Sequence, residues 1–167
     1  YRFTPVESPS KAILPDTDLM YKNLVERSNY ENLARPEIYF NYEDFQARMV
    51  EPLRSAFNVL AIGLLNEGKE KRAVSVMDQA IQLLYTPHLK PSFSNLQAGD
   101  IFLHLGNATV AEKLSAAVFD YAYLEVEESV TNDQQIEQLP LFLLQRSSDL
   151  LNRLGRTDYP AKVDALL

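Results

Sequence analysis

Residues 60–73 read LAIGLLNEGKEKRA, and residues 98–111 read AGDIFLHLGNATVA. Laid over one another without a gap, they place Gly68 on Gly106 and Ala73 on Ala111, a period of 38 residues. A glycine between two helical patterns supplies the positive φ of a tight turn. An alanine five residues later lets the second helix approach the first closely. Leu60-Ala61 answers Ala98-Gly99 eight and seven residues before each glycine, again small side chains where two helices must touch. Self-similarity on this scale is the mark of stacked helix pairs.

Upstream of Gly68, a helical pattern extends from Glu43 to Asn66, with Phe57, Leu60, Ala61, Leu64 and Leu65 on its apolar face. Pro52 inside it predicts a kink or break. Downstream, residues 71–84 carry Ala73, Val76, Met77, Ala80 and Ile81 on one side. The second unit repeats the layout, with a helix over about 94–105 and another to about Glu125, for which Thr109 is the expected cap. Residues 127–138 are polar and acidic, a solvated connection or a helix start. Residues 139–154 are helical again, with Pro140 in the first turn and Gly155 at the end, and a last helix covers about 159–167. At the other end, Asp16 or Thr17 caps a first helix to Arg27, and a loop with Pro36 follows. Residues 1–15 hold three of the nine prolines and read as an extended arm or linker. The layout is therefore an arm, a helical cap over 16–52, and pairs over about 53–86, 92–125 and 139–167. Because the chain starts at Tyr1, it reads as a piece of a longer protein.

Composition narrows the chemistry. Sixteen basic against 23 acidic residues give a net charge of −7, the wrong balance for a nucleic-acid binder. A hydrophobic share of 46% excludes a disordered chain. There are no cysteines, so thiolate chemistry and disulfides are excluded. No apolar run approaches the length of a membrane span. No Gly-rich phosphate loop and no Gly-x-Ser-x-Gly elbow is present, so no cofactor is expected.

The spacing of Phe57, Leu60, Ala61, Leu64, Gly68, Ala73, Met77, Ala80 and a displaced Pro87 resembles the tetratricopeptide repeat. Ala98, Gly99, Phe102, Gly106, Ala111 and Val118 resemble it less closely, since Ser115 stands where the family has an aromatic residue. Leu154-Gly155 with Ala161 suggests a degenerate third unit. The resemblance implies an all-α fold of antiparallel helix pairs in a right-handed superhelix; a generic α-bundle is the other reading of the same helices.

A second resemblance rests on Asp18, Tyr21 and Asn23, on Asn32, on Pro36 and Tyr39, and on Arg48-Met49. This series is similar to the C-terminal soluble region of a family of polytopic membrane proteins of Gram-negative bacteria, whose N-terminal half looks like a glycosyltransferase of the protein O-mannosyltransferase type. It spans most of residues 16–120 and departs at Glu31 and Tyr42. It implies a non-catalytic module on the periplasmic side of the inner membrane, tethered through a membrane half. No catalytic residue carries over, because the family's presumed active site lies in that half. Two other functions stay open: a glycan-binding helical lipoprotein of the outer membrane, and a free-standing peptide-binding adaptor.

If the first helix of each pair lines a concave face, counting back from the glycines puts Asn58, Ile62 and Asn66 there from one unit and Leu96, Gln97, Asp100 and His104 from the next. This surface has one acid and no base. It suits a protein or peptide, the membrane half included, better than an anion. Self-filling by the arm or the last helix is the competing expectation. Asp100 and His104 share a helix face, as two metal ligands would, but no reliable third ligand exists, so no metal is expected. Asn107-Ala108-Thr109 is either a glycosylation sequon or a helix cap. Tyr39, Phe40, Tyr42 and Phe45 form either a cap core or a ligand platform.

Overall fold

The computed structural model describes residues 15–30, 33, 35 and 42–166. Among them every regular element is helical. Helix α1 (Thr17–Tyr21) continues in wide π-helical turns through Lys22–Arg27. A π-helical segment, Tyr42–Val50, runs into α2 (Glu51–Asn66). Then follow α3 (Glu70–Leu84), α4 (Phe93–His104), α5 (Ala108–Thr131), α6 (Gln138–Arg153) and α7 (Asp158–Leu166). The arm expected over 1–15 lies outside the described residues except for Pro15. So do Tyr39 and Phe40 of the aromatic cluster, and the side chain of Tyr42; Phe45 packs half-buried on the core.

The turns carry the pattern read from the glycines. Gly68 has φ 72° and Gly106 has φ 78°. At the first, Gly68 N–H donates to Leu65 O at 2.9 Å and Lys69 N–H to Leu64 O at 2.8 Å. At the second, Gly106 N–H donates to Leu103 O and Asn107 N–H to Phe102 O. These paired bonds close the last helical turn and satisfy carbonyls that have no partner further along the helix. Gly155 repeats the arrangement at φ 84°. Asp133 does so without a glycine, at φ 51°, with Gln134 N–H on Ser129 O at 2.8 Å.

Ala73 and Ala111 are completely buried. So are Leu60, Ala61 and Ala98. A Cβ on Gly99 would lie 3.2 Å from both Leu150 Cδ2 and Ser115 Oγ, so α4, α5 and α6 meet at this one atom-sized gap. In α6 the positions eight and seven before Gly155 are Ser147 and Ser148, both buried, which continues the run of small residues into the third pair. One core gathers Phe57, Leu64, Val76, Met77 and Phe102; a second gathers Phe119, Leu144, Leu151 and Tyr159. Burying each such side chain contributes on the order of 1.5–3 kcal/mol.

Three expectations are corrected. Pro52 does not end the helical run: it falls at the second position of α2, where the backbone changes from the π winding of Tyr42–Val50 to α winding. Thr109 is not the cap of α5. Asn107 is, its Oδ1 accepting from Val110 N–H at 3.2 Å. And α5 does not stop near Glu125. It runs to Thr131, because Val126 is fully buried and prolongs the apolar face of Val118, Phe119 and Ala122.

Candidate functional site

Helices α2, α4 and α6, the first of each pair, run side by side in the same direction. Asn58 meets Ser94 near the start of α4, and Asn66 meets the His104 end. Phe93 meets Phe142, and further along Asp100 meets Arg153. Two hollows result, one on each flank of α4.

The first hollow, between α2 and α4, has a volume of about 350 Å³. Ile62 and Asn66 line it from α2, and Gln97, Asp100 and His104 from α4, with Leu65 and Ile101 beneath. Five of the seven residues expected at the binding face are thus brought together. Ile62 is 44% exposed, a large apolar side chain left open to solvent. Among the described residues, no group of three or more His, Asp or Glu gathers as a metal site.

Asn58 is one of the other two, and it is not on this surface. It is 2% exposed. Its Nδ2 donates to Ser94 O at 3.0 Å, and its Oδ1 accepts from the Tyr85 hydroxyl at 3.0 Å. Leu96, at the matching position of α4, is buried too and forms floor rather than rim. Burial pushes the Tyr85 hydroxyl above its ordinary range, so it stays a donor.

Below Asn58 lies a buried polar hub that sequence reading did not find. Arg54 is fully buried. Its Nε donates to Leu84 O at 2.8 Å, and its Nη1 to Lys90 O at 2.9 Å and to Glu51 Oε1 at 2.6 Å. Glu51 Oε2 in turn accepts from the Ser92 and Ser94 hydroxyls. One guanidinium thereby fixes the end of α3, the loop before α4 and the start of α4 relative to α2. Gln46 assists, accepting from Lys90 N–H and donating to Lys90 O.

The second hollow, between α4 and α6, measures about 370 Å³. Its floor is Leu96 and Leu150. Phe93, whose ring packs 5.7 Å from that of Phe142, bounds one end, and the Asp100–Arg153 ion pair at 2.9 Å bounds the other. Gln97, Arg146, Asp149 and Asn152 complete the walls. The expectation of a face without basic charge is therefore corrected: α6 brings two arginines to it. The signal was present, since Arg146, Asp149 and Arg153 precede Gly155 by nine, six and two residues, as Gln97, Asp100 and His104 precede Gly106.

No family model, curated protein or solved structure matches the chain.

Proposed function

We propose that this chain is a non-catalytic interaction or assembly module built of tetratricopeptide-like helix pairs, whose concave face is the surface of α2, α4 and α6. The single observation that supports this reading is the pair of adjoining hollows on that face. They combine open apolar side chains, Ile62 and Phe93, with side-chain amides and charges. Grooves that recognise extended segments combine those two features. With the resemblance over residues 16–120, the module would be the extramembrane part of a bacterial membrane protein linked to glycosyl transfer, exposed on the periplasmic side, and its own membrane half is a candidate partner.

A photo-crosslinking amino acid tests the reading. Placed at Gln97 on the face, it is expected to capture a discrete protein partner in cells. Placed at Asp120, exposed on α5, it is expected to capture none. Equal capture at both positions, or capture from Asp120 alone, would overturn the proposal.

A further inference from the structure

We infer that the α4–α6 hollow receives an extended peptide whose core is an acidic, an apolar and a basic residue in succession. This rests on reading the α2–α4–α6 face as an interaction surface, and it adds what the partner must carry.

The apolar residue follows from the shape. Leu96 and Leu150 form a buried hydrocarbon floor, and the exposed Phe93 ring, packed against Phe142, extends it at one end. A volume of about 370 Å³ holds one large side chain with its backbone. The far end is closed by Asp100 and Arg153, which neutralise each other.

The charges follow from what remains. Arg146 and Asp149 are exposed, and neither has an ion-pair partner among the described residues. They stand three residues apart on α6, a rise of about 4.5 Å. In an extended chain the two neighbours of an inward-pointing residue both point away from the floor, roughly 6.6 Å apart, towards the rim where the exposed tips of Arg146 and Asp149 lie. Long side chains close that difference. A partner with two acids would meet Asp149, and one with two bases would meet Arg146, so the complementary core is mixed. Gln97 on α4 and Asn152 on α6 both line the hollow with no hydrogen bond to their side chains among the described residues. Each amide offers a donor and an acceptor to a passing peptide unit.

Capped nonapeptides with Glu-Leu-Lys, Glu-Leu-Glu or Lys-Leu-Lys cores in Ser/Gly flanks test this. They are titrated into the full chain with detection by amide chemical shifts. The wild type is expected to bind the mixed core about threefold more tightly than either uniform one, the size of an exposed ion pair. Shifts should centre on Leu96 and Leu150. Arg146→Glu is expected to switch the preference to Lys-Leu-Lys, and Asp149→Arg to Glu-Leu-Glu. Both sites are exposed, so an unchanged amide spectrum without peptide certifies the fold. Binding at the hollow with the same ranking in all three proteins overturns the charge rule and leaves the interaction reading standing. No shift at the hollow with any peptide also overturns the inference, while crosslinking from Gln97 judges the broader reading separately.

Discussion

Asn58 on α2 donates to the main-chain oxygen of Ser94 on α4 across 3.0 Å, with both residues buried. The bond joins the first helices of two successive pairs, so the stacking of the pairs runs through a side-chain amide. Asn58→Ala would remove the Nδ2 donor to the Ser94 carbonyl and one acceptor of the Tyr85 hydroxyl, while that hydroxyl and carbonyl keep each other at 3.2 Å. Losing two buried hydrogen bonds at about 0.5–1.5 kcal/mol each costs about 1–3 kcal/mol. Urea unfolding should show that loss as a lower midpoint with an unchanged slope. A midpoint equal to the wild type's would mean that apolar packing alone sets the stacking.

Arg54 makes a sharper case, because lysine keeps its charge but not its fork. Arg54→Lys removes the Nε donor to Leu84 O and at most one ammonium can reach Lys90 O and Glu51 together. A loss of about 2–4 kcal/mol is expected, between a broken hydrogen-bond pair and a broken buried ion pair. Thermal unfolding measures it. A Lys variant as stable as the wild type would show that a point charge satisfies the hub.

The pairs were legible in the sequence because their turns obey local chemistry. A positive φ is costly for any residue with a Cβ, so glycines at Gly68 and Gly106 mark helix ends without help from the rest of the fold. Asp133 carried no such mark, since aspartate enters this conformation only occasionally, and the acidic residues around Val126 hid an apolar face that continues through them. The outline of the face was legible through the same register. The hub was not: Arg54 looks like any helix-surface arginine until the loop before α4 folds over it, which is tertiary information. The inward turn of Asn58 has the same origin.

The contrast between Asp133 and the glycines gives substitutions of opposite sign. At Gly106 an added Cβ meets no atom within 4 Å, so only backbone conformation is at stake. Gly106→Ala should cost about 1 kcal/mol. Asp133→Gly relieves the same strain and should stabilise by up to about 1 kcal/mol, less the added entropy of the unfolded chain. Melting temperatures of both variants decide this. A fall in both would mean that the Asp133 carboxylate contributes more than its backbone conformation costs.

Gly99 tests the closeness of the helices rather than their ends. Gly99→Ala places a methyl group 3.2 Å from Leu150 Cδ2 and Ser115 Oγ and 3.5 Å from the Ala111 carbonyl oxygen. Leu150 can yield, but the Ser115 hydroxyl is held by its 2.8 Å bond to Ala111 O, which itself sits at ordinary contact distance. A cost of about 1–3 kcal/mol is expected from overpacking. Ser115→Ala in the same chain should recover part of it by removing the Oγ atom. Full stability of the single variant would show that α4 and α5 have slack to separate.

The docking of α1 should depend on pH through an exposed charge network. Arg72 and Lys69 hold the Asp18 carboxyl below its ordinary range, Arg72 donating to it at 2.6 Å. Lys69 and the Thr17 hydroxyl do the same for Glu67, with Lys69 at 2.7 Å. The Arg72 guanidinium also lies over the Tyr21 ring at 4.2 Å, so the network reaches back onto α1. Both carboxylates have lower pKa values docked than undocked. Their contribution is therefore complete above the ordinary carboxylate range, near pH 4, and disappears as pH falls through the docked values. The groups are exposed, so salt should weaken the same contacts at neutral pH. Tyr21 ring resonances report the guanidinium above them and should move towards free-tyrosine positions as pH drops from about 5 to about 2.5. Leu144 methyl resonances in the second core should stay in place over that range. Asp18→Asn should move the Tyr21 resonances partway at neutral pH and flatten the remaining titration. Tyr21 resonances that do not respond to pH, salt or Asp18→Asn would show that α1 is held by Thr17 and its apolar contacts without the ion pairs.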